Sequence, residues 1–201
     1  MNLGKTRRHS AKAEVPLKLR EVENMRKDLG LVHIYTGEAR GKTSTAVGTA
    51  VRARGAGLSV LVAQLFKSDS SEIGELKKLG VKYLQYSSQH PFFKKYSAAE
   101  LKTEKQKCTH FIRQAFETAR KEQYDLFILD EAGPALAYDL VDAHTLLKLA
   151  KAKPEHTELI LTGRGFTPEF FELADYLTGM GVSLYKHPYQ KGVQARKGID
   201  Y

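Results

Sequence analysis

Cysteine is almost absent from this sequence, because Cys108 is the only one among 201 residues. One cysteine cannot form an internal disulfide, so the sequence excludes a disulfide-stabilised secreted domain and fits a reducing compartment. Cys108 itself lies in "KQKCTHFIRQAF", a stretch of helical periodicity. That context favours a packed or idle thiol over a catalytic nucleophile.

Long apolar runs are missing as well. No stretch approaches the roughly 18 apolar residues that a membrane-spanning helix needs, and the N-terminus lacks the apolar core of a signal peptide. We therefore expect a cytoplasmic protein with no membrane partner. A length of 201 residues, 42% of them hydrophobic and 27% charged, suits one well-buried α/β domain.

Acidic residues are outnumbered by basic ones, which gives a formal net charge of +9. Most of the excess lies in two segments, residues 1–28 and the C-terminal "YKHPYQKGVQARKGIDY". Basic residues serve polyphosphate ligands as well as nucleic acids. Because no recognition-helix, RNA-binding or zinc-finger signature is present, we favour a small anionic ligand and expect no nucleic-acid partner.

Apolar runs alternate with segments of helical periodicity along most of the chain. Several runs are continuous, as in strands that are buried on both faces of a parallel sheet. We predict an α/β domain over residues 29–201, with a mostly parallel six-stranded sheet flanked by helices, preceded by a basic extension, residues 1–28. The predicted strands are 31–36, 58–65, 81–86, 124–130, 157–162 and 182–186, and the predicted helices are 42–54, 70–79, 98–122, 142–152 and 168–178.

The stretch "YTGEARGKTSTA", residues 35–46, is one residue short of the usual phosphate-binding loop. That pattern places four residues between its first glycine and Gly-Lys-Ser/Thr, whereas here Glu38, Ala39 and Arg40 alone separate Gly37 from Gly41. The stretch follows a predicted strand and opens a predicted helix, which favours a phosphate site and a P-loop NTPase-like fold over a flexible turn.

Each residue type in the loop has a chemical reason to be there. Gly37 and Gly41 permit a close approach of the backbone to phosphate, and the first amides of the helix point toward the anion. Lys42 supplies a positive charge for phosphate oxygens, and the Thr43 hydroxyl can ligate Mg²⁺. The sequence leaves open whether the loop serves an ordinary nucleotide hydrolase or holds phosphates in another way.

Two further strand ends carry polar residues toward the same edge of the sheet. Asp130 and Glu131 follow "LFIL" and can hold Mg²⁺ opposite Thr43, although an acidic pair there is often a helix cap. Arg164 follows a strand in "LILTGRGF", where its guanidinium can bind phosphate and where the alternative is a surface turn. Arg52, in the helix after the loop, can approach the nucleotide or remain solvated.

Taken together, these motifs resemble the bacterial corrinoid adenosyltransferases, which are ATP:cob(I)alamin transferases. The resemblance covers residues from about 31 to 201. It is carried by "TGEARGKTSTA", "RARGAG", "LDE" followed by "AYDLV", "TGRG" and the terminal "KGVQARKGIDY". It implies that ATP lies reversed relative to ordinary P-loop enzymes, that cobalt(I) attacks the ribose 5′ carbon, and that triphosphate leaves. Such a reaction needs no protein base, which agrees with the absence of a Ser-His-Asp or Cys-His arrangement.

The family's site residues can be placed on this chain one by one. The resemblance implies that Lys42 and Arg164 are catalytic, that Thr43 and Glu131, with Asp130, serve Mg²⁺, and that the corrinoid is the substrate. It also implies a homodimer, a reductase that delivers electrons to cobalt, and an N-terminal segment that covers the nucleotide. The residues that it places on ATP are Gly37, Glu38, Ala39, Arg40, Gly41, Lys42, Thr43, Ser44, Arg52 and Arg164.

The chain also departs from the family. Glu38 puts a negative charge in a polyanion site, which weakens binding unless the side chain turns outward or meets Arg40. Family members carry Gly-Phe-Thr-Trp near residues 86–100, where aromatics displace the lower corrinoid ligand, but this chain has no tryptophan. Phe92 and Phe93 are our candidates for that role, and the alternative is that they anchor a loop to the core. His90, before a proline, is expected to be solvated rather than a cobalt ligand.

Two other functions remain open at this stage. A nucleotide-dependent regulatory or corrinoid-handling protein would keep the ATP site while its corrin pocket has drifted, which the altered segment 86–100 favours. A conventional P-loop ATPase or kinase is the other, and the short loop and "TGRG" argue against it.

Overall fold

The computed structural model describes residues 17–67 and 69–181. The predicted strand at 182–186 and the terminal "KGVQARKGIDY" lie outside these residues. Within them, six parallel strands form one sheet in the order β3-β2-β4-β5-β1-β6. This confirms the predicted α/β class. The strands are β1 Val32–Thr36, β2 Val60–Leu65, β3 Lys82–Tyr86, β4 Leu126–Asp130, β5 Glu158–Thr162 and β6 Tyr176–Gly179.

Helices cover both faces of the sheet, and most begin where the sequence predicts. The longest starts at a capping box in which Ser97 and Glu100 satisfy each other's backbone amides. A short helix directly after β4 and a 3₁₀ turn at Pro91–Phe93 were not predicted. The helices are α1 Leu17–Arg26, α2 Lys42–Gly55, α3 Ile73–Lys78, α4 Ala98–Lys121, α5 Ala132–Ala137, α6 Ala143–Lys151 and α7 Pro168–Leu173.

The predicted helix at 168–178 is wrong in its second half. Helix α7 ends at Leu173, Ala174 is extended, and the chain then forms β6 along the edge of the sheet. The Asp175 amide donates to the carbonyl of Val32 at 2.9 Å, and the Val32 amide donates back to the Asp175 carboxylate at 2.8 Å. Pairing with β1 therefore overrides the local helical pattern, because it satisfies backbone groups of an otherwise unpaired strand edge.

The core lies on both faces of the central strands. Strand β2 is buried along its whole length, which explains why its sequence is apolar at every position except Gln64. Cys108 packs in the layer beneath α4 with no exposed surface, and burial raises the pKa of its thiol to about 12. The prediction of a packed thiol is confirmed, and a raised thiol pKa disfavours the reactive thiolate form.

Helix α1 anchors the described part of the N-terminal extension at the amino edge of the sheet. Val22, Met25 and Leu29 pack against one of the two core layers. Arg26 Nε donates to Asp125 Oδ1 at 2.6 Å, and Asp125 is fully buried beside the start of β4. Burial raises the pKa of Asp125, but Arg26 and hydrogen bonds from Ser59 lower it by more, so the net pKa is below its usual value.

None of the helices among residues 17–67 and 69–181 is long and apolar enough to cross a lipid bilayer.

Candidate active site

The shortened glycine loop lies at the carboxyl edge of the sheet, between β1 and α2. Gly37 and Gly41 have φ angles of +99° and +112°, which side-chain-bearing residues rarely adopt. At Gly37 a second constraint operates, because a Cβ there would lie 2.5 Å from the carbonyl oxygen of Met180. The Ala39 amide donates to the same carbonyl at 2.8 Å. The loop is therefore held from one side by the residue that follows β6, a contact that the sequence did not indicate.

Lys42 is folded back onto its own loop. Its ammonium donates to the carbonyls of Gly37 and Ala39, each at 2.7 Å. Burial lowers the pKa of Lys42, and the nearby charge of Arg164 lowers it further; neighbouring carboxylates oppose the shift without cancelling it. A partly desolvated cation with only neutral acceptors is better satisfied by a polyanion, which agrees with a phosphate-binding role.

Asp130 is the buried centre of a polar network at the end of β4. Only 1% of its surface is exposed, yet both carboxylate oxygens are fully hydrogen-bonded. Thr43 and Thr162 donate to Oδ1 at 2.9 and 2.6 Å, and Gln64 donates to Oδ2 at 2.9 Å. Burial raises the pKa of Asp130, but Lys67 and the hydrogen bonds from Thr162 and Gln64 lower it by more, so the group is held ionised.

The parallel register brings these residues together. Gln64 on β2 pairs with Asp130 on β4, and Thr162 lies at the end of the next strand, β5. The Gln64 side chain is fixed in turn, because Ser70 and Tyr83 donate to its carbonyl oxygen. Sequence analysis identified Asp130 but missed Gln64, which belongs to no recognised motif, and gave no role to Thr162, the first residue of "TGRG".

Lys67 is the largest omission of the sequence analysis. It follows the carboxyl end of β2, and its ammonium contacts Thr43 Oγ1 at 2.9 Å, Asp130 Oδ2 at 3.0 Å and Glu131 Oε1 at 3.2 Å. Burial lowers the pKa of Lys67, but the two carboxylates raise it by more, so the net pKa is above its usual value. Its place directly after a buried strand was the one available signal.

Glu131 has an unusual backbone conformation. Its φ is +64°, a left-handed geometry that costs a non-glycine residue about 1 kcal/mol or more. The conformation is fixed by a 3.0 Å hydrogen bond from the Glu131 amide to Thr162 Oγ1. It also lets the carboxylate reach Lys67 on one side and His90 Nε2, 3.8 Å away, on the other.

The oxygen atoms of Thr43, Asp130 and Glu131 fit a bound cation. All three converge on one positive charge, the Lys67 ammonium, and hydroxyl and carboxylate oxygens are the donors that Mg²⁺ prefers. Among residues 17–67 and 69–181, no group of three or more His, Cys, Asp or Glu side chains could hold a metal unaided. Mg²⁺ here would therefore need phosphate oxygens and water to complete its coordination.

Arg164 reaches across the edge to the glycine loop. Its Nη2 donates to the Glu38 carbonyl at 2.6 Å, and its Nε lies 3.0 Å from Glu38 Oε2. Glu38, whose negative charge was expected to weaken polyanion binding, thus has a cationic partner. Half or more of each of the two side chains is exposed. Contact between Arg164 and the loop agrees with the predicted convergence of strand ends.

The remaining predicted nucleotide residues occupy different positions. Arg40 and Ser44 are exposed on the loop and the first turn of α2. Arg52 is exposed in the last turn of α2, ten positions along the helix from Lys42, which corresponds to an axial distance of about 15 Å. Arg54 donates to the carbonyls of Leu79 and Leu58, each at 2.7 Å, and ties α2 to its neighbours. Arg52 as a nucleotide contact stays a prediction.

Phe92 and Phe93 do not anchor a loop in the core, because 67% and 71% of their surfaces are exposed. Their rings meet edge to face with centroids 5.0 Å apart, on the 3₁₀ turn beside α5. Pro91, which is buried, and His90 anchor the turn instead. His90 accepts a hydrogen bond from the Phe92 amide and packs edge-on to Phe66, so it is less solvated than expected.

Comparison with known proteins agrees with this geometry. The family model described as ATP:corrinoid adenosyltransferase BtuR/CobO/CobP matches residues 28–201. The matched region contains the glycine loop, the Asp130–Glu131 pair, "TGRG" and the exposed phenylalanines.

Individual relatives cover nearly the whole chain. The protein named corrinoid adenosyltransferase CobA of Salmonella typhimurium is 29% identical over 182 residues, which is 90% of this chain and 90% of that protein. A corrinoid adenosyltransferase of Escherichia coli K12 is 27% identical over 197 residues, covering 97% of this chain and 96% of the relative. That of Pseudomonas aeruginosa is 27% identical, with coverages of 90% and 88%.

Proposed function

This chain belongs to the ATP:corrinoid adenosyltransferase family, and we propose that it transfers the 5′-deoxyadenosyl group of ATP to the cobalt(I) of a corrinoid and releases triphosphate. The observation that carries the proposal is the pairing of two features at one edge of the sheet. A compressed anion loop with a partly desolvated lysine lies there, and a pair of exposed phenylalanines lies beyond Glu131 and His90. The anion loop with its lysine suits a triphosphate, and the exposed phenylalanines suit the apolar face of a macrocycle.

The loop holds the γ end of ATP, so that the ribose carbon is presented outward. Lys42 exchanges its two loop carbonyls for phosphate oxygens, and the first amides of α2 add their partial positive charge. Arg164, already within hydrogen-bond distance of Glu38 in the loop, provides a second, planar cation. Gly37 to Ser44, Arg52 and Arg164 form the proposed nucleotide contacts.

The chemistry then rests on placement and charge. The electron pair of cobalt(I) forms a bond to C5′ as the C5′–O bond breaks, and the leaving oxygen retains that bond's electrons. Lys42 and Arg164 stabilise the negative charge that accumulates on the departing triphosphate, while no residue has to accept or donate a proton. Thr43, Asp130 and Glu131 would hold Mg²⁺, which when bound neutralises part of the phosphate charge.

The corrinoid is proposed to lie against Phe92 and Phe93. Exposed aromatic rings cost solvation free energy unless something covers them, and a macrocycle face would bury both. His90 and buried Pro91 hold this turn beside α5, so the phenylalanines have a fixed backbone from which to displace the lower cobalt ligand.

The wider setting is also proposed. We infer a cytoplasmic homodimer that receives electrons for cobalt from a reductase and has no nucleic-acid or membrane partner. Residues 29–201 act as a single P-loop domain. Because α1 docks at the edge opposite the loop, the proposed cover over the nucleotide would have to come from residues 1–16, which lie outside the described part of the chain.

A direct assay tests the reaction. Chemically reduced cobalamin mixed with the protein and Mg-ATP is expected to lose its cobalt(I) absorbance while triphosphate appears in equal amount. Release of ADP and phosphate would instead indicate a conventional ATPase. Nucleotide binding with no product of either kind would favour a regulatory or corrinoid-handling protein.

Phe92→Ala is expected to impair chiefly the reaction that starts from cobalt(II). Losing one aromatic contact should slow that reaction by about tenfold, because the lower ligand must leave before reduction. The control is the same variant supplied with pre-reduced cobalt(I), which has no lower ligand to displace and should react within about twofold of wild type. Equal losses in the two assays would remove the ligand-displacing role.

A further inference from the structure

The ammonium of Lys67 lies among oxygen atoms that the proposed function assigns to Mg²⁺. It contacts Thr43 Oγ1 at 2.9 Å, Asp130 Oδ2 at 3.0 Å and Glu131 Oε1 at 3.2 Å. The Thr43 hydroxyl donates a hydrogen bond to Asp130 Oδ1 and accepts one from Lys67, so a lone pair of the hydroxyl oxygen faces the cation. One positive charge is thus held by three oxygens, two from the end of β4 and one from the first turn of α2.

Asp130 does not need Lys67 to satisfy its hydrogen bonds. Thr43, Thr162 and Gln64 already donate to it, and at least one of them reaches each carboxylate oxygen. A lysine that served only as a counter-charge for Asp130 would not also have to reach Thr43 and Glu131. The Lys67 side chain is 26% exposed, so its ammonium has access to solvent. The backbone is fixed, because Gln85 Nε2 donates to the Lys67 carbonyl at 2.5 Å.

An ammonium and a divalent metal cannot occupy the same oxygen cluster, because two cations a few ångströms apart repel each other strongly at low dielectric. We propose that Lys67 is a resident counter-cation that keeps Mg²⁺ out of the site until triphosphate is present, and then moves its ammonium onto the phosphates. The metal and the nucleotide therefore enter together. This inference rests on the proposed metal site and concerns its regulation.

The long, flexible stem of lysine suits this exchange. Its four-carbon chain can swing the ammonium over several ångströms while the backbone stays fixed. The triphosphate offers new acceptors for the ammonium at the moment when Mg²⁺ takes the carboxylates, so each cation keeps an anionic partner. Without triphosphate, expelling the ammonium would leave it without an anionic partner.

Binding of Mn²⁺, followed by the electron paramagnetic resonance signal of the free ion, tests the proposal without any corrinoid. Wild type, Lys67→Met and Lys67→Gln are compared with and without inorganic triphosphate. Lys78→Met is the matched control, since Lys78 pairs with Glu75 on an exposed helix. In the absence of triphosphate, both Lys67 variants should bind Mn²⁺ at least about tenfold more tightly than wild type and Lys78→Met. The gain in Mn²⁺ affinity on adding triphosphate should be smaller in the Lys67 variants.

Unchanged Mn²⁺ affinity in folded Lys67 variants would overturn the proposal, as would an equal gain in Lys78→Met. Circular dichroism establishes that the variants are folded. If neither Lys67 variant folds, Mn²⁺ binding to the wild-type protein tests the proposal. Mn²⁺ bound as tightly without triphosphate as with it contradicts the proposal, whereas weak Mn²⁺ binding that triphosphate strengthens supports it. Failure of the adenosyl-transfer assay with the Mn²⁺ result intact would refute the proposed reaction alone.

Discussion

Replacing Lys42 with alanine is expected to abolish adenosyl transfer while the protein stays folded. The rate should fall at least about a thousandfold, because the variant loses the cation aimed at the leaving triphosphate. The fold should persist because the Lys42 ammonium contacts only loop carbonyls, and alanine is a good first residue for α2. Loss of cobalt(I) absorbance and triphosphate release measure the rate, and circular dichroism measures the fold.

Lys78→Ala is the matched control for this experiment. It removes one lysine from an exposed helical position and should leave the rate unchanged. Near-normal turnover in Lys42→Ala would contradict the assignment of the loop to phosphate. An unfolded variant would show instead that the contacts of Lys42 with Gly37 and Ala39 hold the loop together.

Gly133→Ala is expected to lower the free energy of unfolding by about 3 kcal/mol, the upper range for overpacking a tight site. A Cβ at residue 133 would lie 2.3 Å from the carbonyl oxygen of Arg164 and 2.7 Å from the carbonyl carbon of Gly163. Both neighbours are backbone atoms, so no side chain can rotate away. The insertion should also push Arg164 from the loop and weaken triphosphate binding.

Gly48→Ala makes the same chemical change as Gly133→Ala but is expected to have the opposite effect on stability. Gly48 lies within α2, and a Cβ there would meet no atom within 4 Å. Alanine is favoured over glycine inside a helix by up to about 1 kcal/mol, so this variant should be slightly more stable. Urea unfolding of both variants measures the difference. If Gly133→Ala proves as stable as Gly48→Ala, the close approach of α5 to the "TGRG" turn is not present in solution.

Local sequence predicted the structure correctly wherever a single physical requirement, such as burial or phosphate binding, set the residue pattern. Strands β2 and β4 are apolar except for Gln64 and Asp130 because both of their faces are buried, and the predicted ranges contain the observed strands. The glycine loop was located correctly because a strand, glycines, Lys42 and a helix start occur together. Where local propensity and strand pairing favoured different structures, the prediction from local sequence was wrong. Residues 174–178 carry a helical pattern, yet Tyr176–Gly179 pair with the open edge of β1 as strand β6.

The glycines of "TGRG" show a different limit. Gly163 has a φ of +129°, a backbone geometry that favours glycine at this position. The structure adds a reason that no local pattern contains, since a Cβ on Gly163 would lie 2.4 Å from Pro134 Cδ at the start of α5. The motif after β4 and the motif after β5 therefore fit against each other, and this fit sets the position of Arg164.

The sequence by itself determined the alternation of strands and helices, the position of the anion loop, and which polar side chains follow three of the strands. Each of these features depends on residues that are close together in the chain. Only the tertiary structure decided which charges meet. Lys67 reaches Thr43 from 24 positions away and Asp130 from 63, and Arg164 reaches Glu38 from 126. The parallel pairing of β1, β2, β4 and β5 brings these residues together, and a register between distant strands leaves no trace in any short stretch of sequence.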